Sequence, residues 1–335
     1  MIQKIRSIPL KVHFNHALIS RLLVNHPKIP IIQLDTRKKM SGYNGEVNTD
    51  FHLQFLNDRN HYIFLGLRLP HPHHPFQIDT LILSRKFILI IETKNLSGTI
   101  NINESQFSQT TEHGEKGYNN PLLQVQRHKE QLQDWLNAHQ FDRLPILVLV
   151  ALSNPSAIIK TNNPKVKQHI CKIDNLKNQI MQLVCNCGED ILTERELKKL
   201  TKLLLKEDTP HIPEIQKSYQ LSHSDLIKGV RCPSCSSYQM HRKIKSWHCP
   251  HCLYQSQNAH KDAFLDYFLL VNTSITNKEL RDFLGISSIK VASNLLASSN
   301  FPFTGTKKGR VYDRPANFLS LLEARYLLQK QKTKA

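Results

Sequence analysis

The sequence predicts an α/β protein whose central sheet is covered on both faces. Two apolar runs, FQIDTLILS and FILIIETKN, are separated by Arg85-Lys86 and are typical of adjacent strands in a hairpin. A third run, PILVLVAL at 145–152, predicts a further buried strand. The helical spacing of apolar residues at 120–138 and 193–206 predicts two helices, which would cover the sheet.

Composition limits the class of protein and of partner. The 335 residues are 40% hydrophobic with 11 Gly and 16 Pro, which excludes collagen-like, low-complexity and wholly disordered chains. A net charge of +18 predicts a polyanionic partner. No stretch approaches the ~18 uninterrupted apolar residues of a membrane-spanning helix, and the first residues lack a secretory signal. We therefore expect a cytoplasmic protein with no membrane partner.

The chain length predicts two or more domains, and composition shifts suggest where they divide. A Pro-containing stretch without clear periodicity follows the helix-like run LKKLTKLLLK and is typical of a linker. We expect an N-terminal extension at 1–40, an α/β domain at 41–206, a linker at 207–224, a four-cysteine segment at 225–256 and a helical segment at 257–335.

The predicted hairpin carries three charged residues, Asp79, Glu92 and Lys94, inside apolar strands, where an unpaired charge is costly. A period of two places Glu92 and Lys94 on one face. If Ser84 pairs with Phe87, Asp79 falls opposite Glu92. Two carboxylates this close repel unless a proton or a cation lies between them, and Mg²⁺ suits such oxygen ligands.

Lys94 would then supply positive charge near a substrate phosphate or an attacking water, as phosphodiester cleavage requires. The alternative is a buried ion pair of Lys94 with Asp79 or Glu92 that only holds the hairpin together. Arg-Lys is also a poor type I′ turn, which counts against the assumed register.

A helix is predicted upstream of the hairpin, from Ser41 to Leu56. Its first residues are Ser, Gly and Asn, which favour turns and so indicate the start of the helix. Val47, Phe51 and Phe55 share one face. Glu46 lies in its first turns.

These residues together resemble the nuclease-related domain (NERD), a branch of the PD-(D/E)XK nuclease-like superfamily, over roughly Ser41 to Lys206. The resemblance implies a nuclease-like core with a mixed central sheet flanked by helices. It also implies that Asp79 and Glu92 bind Mg²⁺ or Mn²⁺ and that Glu46 completes the metal site. Lys94 would assist water or phosphate.

Further along, NNPLLQVQRH resembles the Asn-Pro and Gln-containing helix that follows the family's core. Gln124, with His128 one turn later, resembles an accessory Gln-x-x-x-Tyr element with His in place of Tyr, and so joins the candidate catalytic residues. Ile78 stands where the superfamily name has Pro, while the carboxylates and the lysine are all present.

Two CxxC pairs, Cys232 with Cys235 and Cys249 with Cys252, are separated by 13 residues, which is the spacing of a structural zinc ribbon. Such a closed Cys₄ site supports folding and not catalysis. A pair of disulfides is the alternative.

The remaining cysteines and a histidine-rich loop carry weaker signals. Cys171, Cys185 and Cys187 have no fourth partner and are interpreted as ordinary thiols. The loop HPHHP at 71–75 is interpreted as a proline-stiffened loop near the nucleic acid, with metal ligation as the alternative.

Basic residues decorate the span between the two cysteine pairs. Arg242, Lys243 and Lys245, together with Trp247, would face nucleic acid, although a merely solvated face is equally consistent.

After the cysteines, two short helices around Gly285 resemble a helix-turn-helix, and a Gly-flanked hairpin resembles the wing of a winged helix. Thr276 would cap the first of these helices, and Ser287 or Ser288 would cap the second. In a winged helix of this kind, residues of the second helix would face the DNA major groove and the hairpin tip would contact phosphate. The groove-facing residues are Ser288, Lys290, Ser293 and Asn294, and the tip residues are Lys307, Lys308 and Arg310.

The alternative is a small helical domain that binds protein. Residues 222–335 hold 17 basic and 7 acidic side chains, a net +10, which favours nucleic acid.

The function predicted is a Mg²⁺-dependent nuclease that hydrolyses phosphodiester bonds of nucleic acid, with DNA the expected substrate, and that binds it through the zinc ribbon and winged helix. A non-catalytic nucleic-acid-binding or regulatory protein with a nuclease-like core is the second hypothesis, and a protein-interaction scaffold is the third.

Overall fold

The computed structural model describes residues 1–56, 61–213 and 218–334. The chain forms two compact units. The first unit comprises Met1–Ser7 and Lys38–His211, and the second unit comprises Ile8–Arg37 and Ile212–Ala335. Within the described ranges, no helix is both long and apolar enough to cross a membrane.

A six-stranded mixed sheet forms the centre of the first unit, in the order β1-β2-β3-β4-β8-β10. Its strands are β1 (Ile2–Lys4), β2 (Tyr62–Leu69), β3 (Phe76–Leu83), β4 (Ile88–Lys94), β8 (Ile146–Leu152) and β10 (Ile170–Lys172). The pairs β2-β3 and β3-β4 are antiparallel, and the other three pairs are parallel. The predicted α/β class is confirmed.

Helices cover both faces of this sheet. On one face, Ile88 and Ile90 of β4 join a core with apolar residues of α3 (Pro121–Ala138) and α6 (Glu194–Glu207). On the other face, Leu89 and Ile91 pack with Leu53 and with α5 (Leu176–Val184). The predicted helices at 120–138 and 193–206 are present, capped by Asn120 and Thr193 respectively.

A second sheet of the first unit, ordered β7-β6-β5-β9, is formed by segments that follow β4 and β8 in the sequence. Its strands are β5 (Gly98–Ile102), β6 (Phe107–Thr111), β7 (Gly114–Gly117) and β9 (Ala157–Lys160), and α4 (Pro164–Gln168) follows them.

The predicted register of the hairpin is confirmed. The ladder between β3 and β4 pairs Leu83 with Ile88 and continues to Thr80 with Ile91. Asp79 and Glu92 are the next residues along the two strands, so the register brings them side by side at the end of the ladder.

The helix that carries Glu46 differs from the prediction at its start and in its buried face. Helix α2 runs from Ile29 to Leu53, so the residues interpreted as opening turn chemistry lie inside the helix. Val47, Phe51 and Phe55 share a side of the chain, but that side is exposed.

In the last turns of α2 the buried face is instead formed by Gly45, Thr49 and Leu53, which recur every four residues. A Cβ at position 45 would lie 2.6 Å from both the Cβ of Asn95 and the Oγ of Ser153. The missing side chain of Gly45 therefore lets the helix approach the segments that follow β4 and β8, and this close approach positions Glu46.

The described residues of the second unit form helices and two small sheets. Its helices are α1 (Leu10–Arg21), α7 (His260–Leu270), α8 (Asn277–Leu284), α9 (Ile289–Ala297) and α10 (Phe318–Lys334), together with the beginning of α2. One sheet joins β11 (His241–Lys243), β12 (Ser246–His248) and β13 (Gln255–Ser256). The other has the order β14 (Ser274–Thr276), β16 (Val311–Asp313), β15 (Phe303–Thr304).

A buried ion pair ties α1 to α7 in the second unit. Arg21 is fully buried and donates from Nε to Asp266 Oδ2 at 2.7 Å, and Arg325 donates to the other oxygen of Asp266 at the same distance. The predicted five-segment division of the chain stays a prediction, and residues 214–217 of its linker lie outside the described residues.

Substituting the two glycines of α2 tests the close approach. Gly45→Ala forces a Cβ into contact with Asn95, so we expect the melting temperature of the full chain to fall by several degrees, since overpacking costs about 1–3 kcal/mol. Gly42→Ala is the matched control because a Cβ there meets nothing within 4 Å. It should raise the melting temperature, since Ala is the better helix former by up to about 1 kcal/mol. Equal shifts for the two variants in calorimetry would contradict the packing argument.

Candidate active site and metal centre

Three of the sequence-predicted residues meet at the carboxyl end of β4. Glu92 is 2% exposed, and its Oε1 accepts a hydrogen bond from Lys94 Nζ at 2.8 Å. The same ammonium donates to Gln124 Oε1, on α3, at 2.9 Å. Lys94 is therefore held between a strand carboxylate and a helix amide, with its side chain partly open to solvent.

The second oxygen of Glu92 is buried and, among the described residues, has no hydrogen-bond partner. His128 Nδ1 lies 3.8 Å away and is itself buried without one. Burial lowers the pKa of His128 to about 4, so the ring is neutral at pH 7 and cannot act as a counter-ion. Burial, followed by repulsion from Asp79, raises the pKa of Glu92 to about 8.

Asp79 adjoins Glu92 at the end of the β3-β4 ladder. Its Oδ2 accepts a hydrogen bond from the backbone N–H of Thr93 at 2.9 Å, which fixes the carboxylate beside β4. Burial raises the pKa of Asp79, although the Thr93 hydrogen bond opposes the shift. A carboxylate that burial disfavours in its charged form is stabilised by any cation brought beside it.

Glu46 approaches Asp79 from α2 and is paired with a residue that sequence reasoning missed. Arg6 donates from Nη1 to Glu46 Oε2 at 2.5 Å, and from Nε and Nη2 to the two oxygens of Asp50 at 2.7 and 2.9 Å. Its Nη2 also donates to the backbone carbonyl of Asp79 at 2.7 Å and to Thr80 Oγ1. Burial, followed by repulsion from Asp79, raises the pKa of Glu46 to about 7.

The sequence held a signal for one of the two missed residues. Asp50 lies four residues after Glu46 on α2, and side chains at this spacing share a helix face. No local sequence pattern pointed to Arg6. It follows β1, which pairs with β2 about 60 residues later in the chain, so only the tertiary fold brings it to the site.

The donor set fits a hard divalent cation. Asp79 and Glu92 offer carboxylate oxygens, and Glu92 keeps one buried oxygen unsatisfied, which is the arrangement that a bound cation stabilises. The three predicted acidic ligands are less tightly gathered than the cysteines, since the cysteines alone among the described residues form a group of three or more ligand atoms all within 4.8 Å of one another.

The four cysteines form this tight cluster in the second unit. The Sγ atoms of Cys232 and Cys252 are 3.6 Å apart, those of Cys235 and Cys249 are 3.5 Å apart, and all four are free of disulfides. The small sheet of β11, β12 and β13 lies in the same stretch of chain. The cluster fits a zinc ribbon-like site, as the spacing predicts.

Side chains around the cysteines differ in exposure. Lys243 and Lys245 are exposed, and Arg242 lies over the Trp247 ring at 5.4 Å. The expectation that Trp247 faces nucleic acid is wrong. Its indole is 1% exposed and donates from Nε1 to His260 Nδ1 at 3.1 Å, so it packs in the core of the second unit.

The two helices that follow the cysteines around Gly285 are capped as predicted. Thr276 forms a capping box with Glu279, Ser288 accepts from the Val291 N–H, and Gly285 ends α8 with φ of 69°. Lys290 and Asn294 are exposed on α9, and Lys307 and Lys308 are exposed between β15 and β16. Arg310 is half-buried and lies over the Phe303 ring at 4.3 Å.

The histidine-rich loop contacts an acid on α3. His71 Nε2 lies 3.4 Å from Asp134 Oδ2, and the rings of His71 and His73 are 5.6 Å apart. In the described chain these groups do not form a three-ligand cluster.

Comparison with known proteins supports the assignment of the first unit. Residues 41–153 match the family model of the nuclease-related domain, about a third of the chain. The predicted resemblance and the nuclease-like class are thereby confirmed over this segment, which contains Glu46, Asp79, Glu92, Lys94 and Gln124. No curated protein and no solved structure matches the chain.

The electrostatics of Glu92 predict a pH-dependent stability. The unfolded chain releases the Glu92 proton near pH 4.5 and the folded chain releases it near pH 8, so folding loses stability as pH rises through this window. We expect Glu92→Gln to raise the melting temperature by roughly 2–5 °C at pH 8.5 in magnesium-free buffer and to have little effect at pH 4.5.

Glu130→Gln, on the exposed side of α3, is the matched control and should change the melting temperature at neither pH. A decrease for Glu92→Gln at pH 8.5 would show that the carboxylate is stabilised by its Lys94 partner more than it is destabilised by burial.

Proposed function

We propose that this protein is a divalent-metal-dependent nuclease that hydrolyses phosphodiester bonds of DNA. The observation that carries the proposal is the juxtaposition of Asp79, Glu92 and Lys94, with one buried carboxylate oxygen of Glu92 unsatisfied. The match of residues 41–153 to the nuclease-related domain supports a nuclease-like function for the same segment.

Asp79 and Glu92 would hold a Mg²⁺ or Mn²⁺ ion, with Glu46 contributing from α2. When bound, such an ion supplies a Lewis acid for the scissile phosphate. Because acidic side chains repel phosphate, the carboxylates alone would exclude the substrate from this end of the sheet.

Lys94 is the candidate group for stabilising negative charge. Its Nζ is held 2.8 Å from Glu92 and 2.9 Å from Gln124 while part of its side chain remains exposed, so a third donor direction is open to a phosphate oxygen or a water. A preorganised ammonium at the reacting phosphate lowers the barrier where charge develops. Gln124 acts as a positioning residue, because its amide oxygen fixes the ammonium.

The second unit is proposed to bind the nucleic acid. The four cysteines would bind a structural Zn²⁺, and β14, α8, α9, β16 and β15 would form a winged helix with Lys290 and Asn294 on its second helix. Arg242, Lys243, Lys245, Lys307, Lys308 and Arg310 would contact phosphates. The net charge of +10 on residues 222–335 supports this role.

The second candidate function is binding of nucleic acid without cleavage. The concentration of positive charge in residues 222–335 favours it, since binding alone accounts for that charge.

Cleavage of plasmid and single-stranded DNA with and without Mg²⁺ tests the proposal. We expect Lys94→Ala to lower the single-turnover rate by about 10²–10³-fold, because one preorganised charge-stabilising donor is lost, and Asp79→Asn to abolish metal-dependent cleavage. Lys86→Ala, an exposed lysine in the β3-β4 turn, removes the same charge and should leave the rate unchanged. Cleavage that persists in both Lys94→Ala and Asp79→Asn would refute the assigned site.

The salt dependence of DNA affinity tests the proposed binding surface. We expect Lys307→Ala/Lys308→Ala to weaken DNA binding and to reduce the slope of log affinity against log salt by about 1.8, since each phosphate contact contributes about 0.9. Lys177→Ala/Lys202→Ala removes two exposed charges from the first unit and should leave the slope unchanged. Identical slopes for the two double variants, measured by fluorescence anisotropy, would exclude the hairpin tip from the interface.

A further inference from the structure

Arg6 makes the kind of contacts that a bound cation makes. Its guanidinium is surrounded by oxygens, with Glu46 at 2.5 Å, both oxygens of Asp50 at 2.7 and 2.9 Å, and the carbonyl of Asp79 at 2.7 Å. The residue is 9% exposed. Such a bidentate and nearly saturated arrangement fixes the positive charge in place.

Protein cations balance only part of the negative charge around this arginine. Four carboxylates belong to the site, those of Glu46, Asp50, Asp79 and Glu92, and Arg6 and Lys94 are its two cations. Lys4 lies near Arg6 but is paired with Asp208 at 2.7 Å, so this pair adds no net charge. With all carboxylates ionised, the formal charge of the site is −2, which one divalent ion neutralises.

Glu46 lies between Arg6 and Asp79. Arg6 contacts one of its oxygens, Oε2, and the carboxylate lies close enough to Asp79 for their repulsion to be felt. The four carboxylates form an acidic cluster with two parts. A single ion beside Asp79 and Glu92 would neutralise the first part. The second part, Glu46 Oε2 with Asp50, is already bound by the guanidinium of Arg6.

We propose that Arg6 takes the place of a second metal ion, so that the site holds one divalent ion and one fixed protein cation. This inference rests on the proposed function. Arg6 lies outside the segment that matches the nuclease-related domain, so it is a contribution of the N-terminal residues of this chain to the site. A second ion would have to displace a guanidinium bound by two carboxylates.

Counting bound Mn²⁺ in the zinc-loaded, full-length protein tests the inference without a measurement of activity. Electron paramagnetic resonance with a Mn²⁺ titration should give one tight ion per chain and no dipolar broadening from a second. Asp79→Asn should remove this ion, which identifies it with the site. Two tight ions in the unaltered chain that are lost in Asp79→Asn would overturn the inference and leave the proposed function standing, whereas no bound ion would overturn both.

Variants of Arg6 supply the second arm. Arg6→Gln removes the protein cation from Glu46 Oε2 and Asp50, so a second Mn²⁺ should bind there, whereas Arg6→Lys keeps a charge and should stay at one ion. Circular dichroism establishes that each variant folds. A folded Arg6→Gln variant that still binds one ion would refute the inference, and if that variant does not fold, the count in the unaltered chain decides alone.

Discussion

The burial of Glu92 beside Asp79 is the constraint on which the rest of the first unit depends. The register between β3 and β4 brings the two residues together, and neither carboxylate can turn away because Asp79 is bonded to the Thr93 N–H and Glu92 to Lys94. Burial, followed by repulsion from Asp79, raises the pKa of Glu92 to about 8. Every charged neighbour then acts either to relieve this repulsion or to add to it.

Relief comes from three directions, and each depends on a separate element. Lys94 stands on β4 itself, Gln124 fixes its ammonium from α3, and Arg6 reaches the acids of α2 from beyond β1. The approach of α2 is in turn permitted by Gly45, which has no side chain to collide with Asn95. The site is therefore assembled by the tertiary fold, although its two central acids and its lysine lie in one hairpin.

The hairpin could be predicted from the sequence because its information is local. Alternation places Glu92 and Lys94 on one face, and the Ser84–Phe87 pairing fixes the register despite a turn sequence of low intrinsic preference. The start of α2 could not be predicted, because Ser41, Gly42 and Gly45 favour turns in isolation and yet lie inside a helix that begins at Ile29. Arg6 was missed for a different reason, because its partners Glu46 and Asp50 lie at least 40 residues away in the sequence.

The charge of the protein and the chemistry of its candidate site oppose each other. The acidic cluster of the first unit repels a phosphate backbone, so affinity for nucleic acid has to come from other residues. Residues 222–335, with a net charge of +10, can provide it, and the attraction of a phosphate backbone is additive over many contacts. Separate elements can then be optimised for opposite requirements. The candidate metal site needs carboxylates that bind a cation, whereas a phosphate-binding surface needs cationic side chains. One site could not meet both requirements.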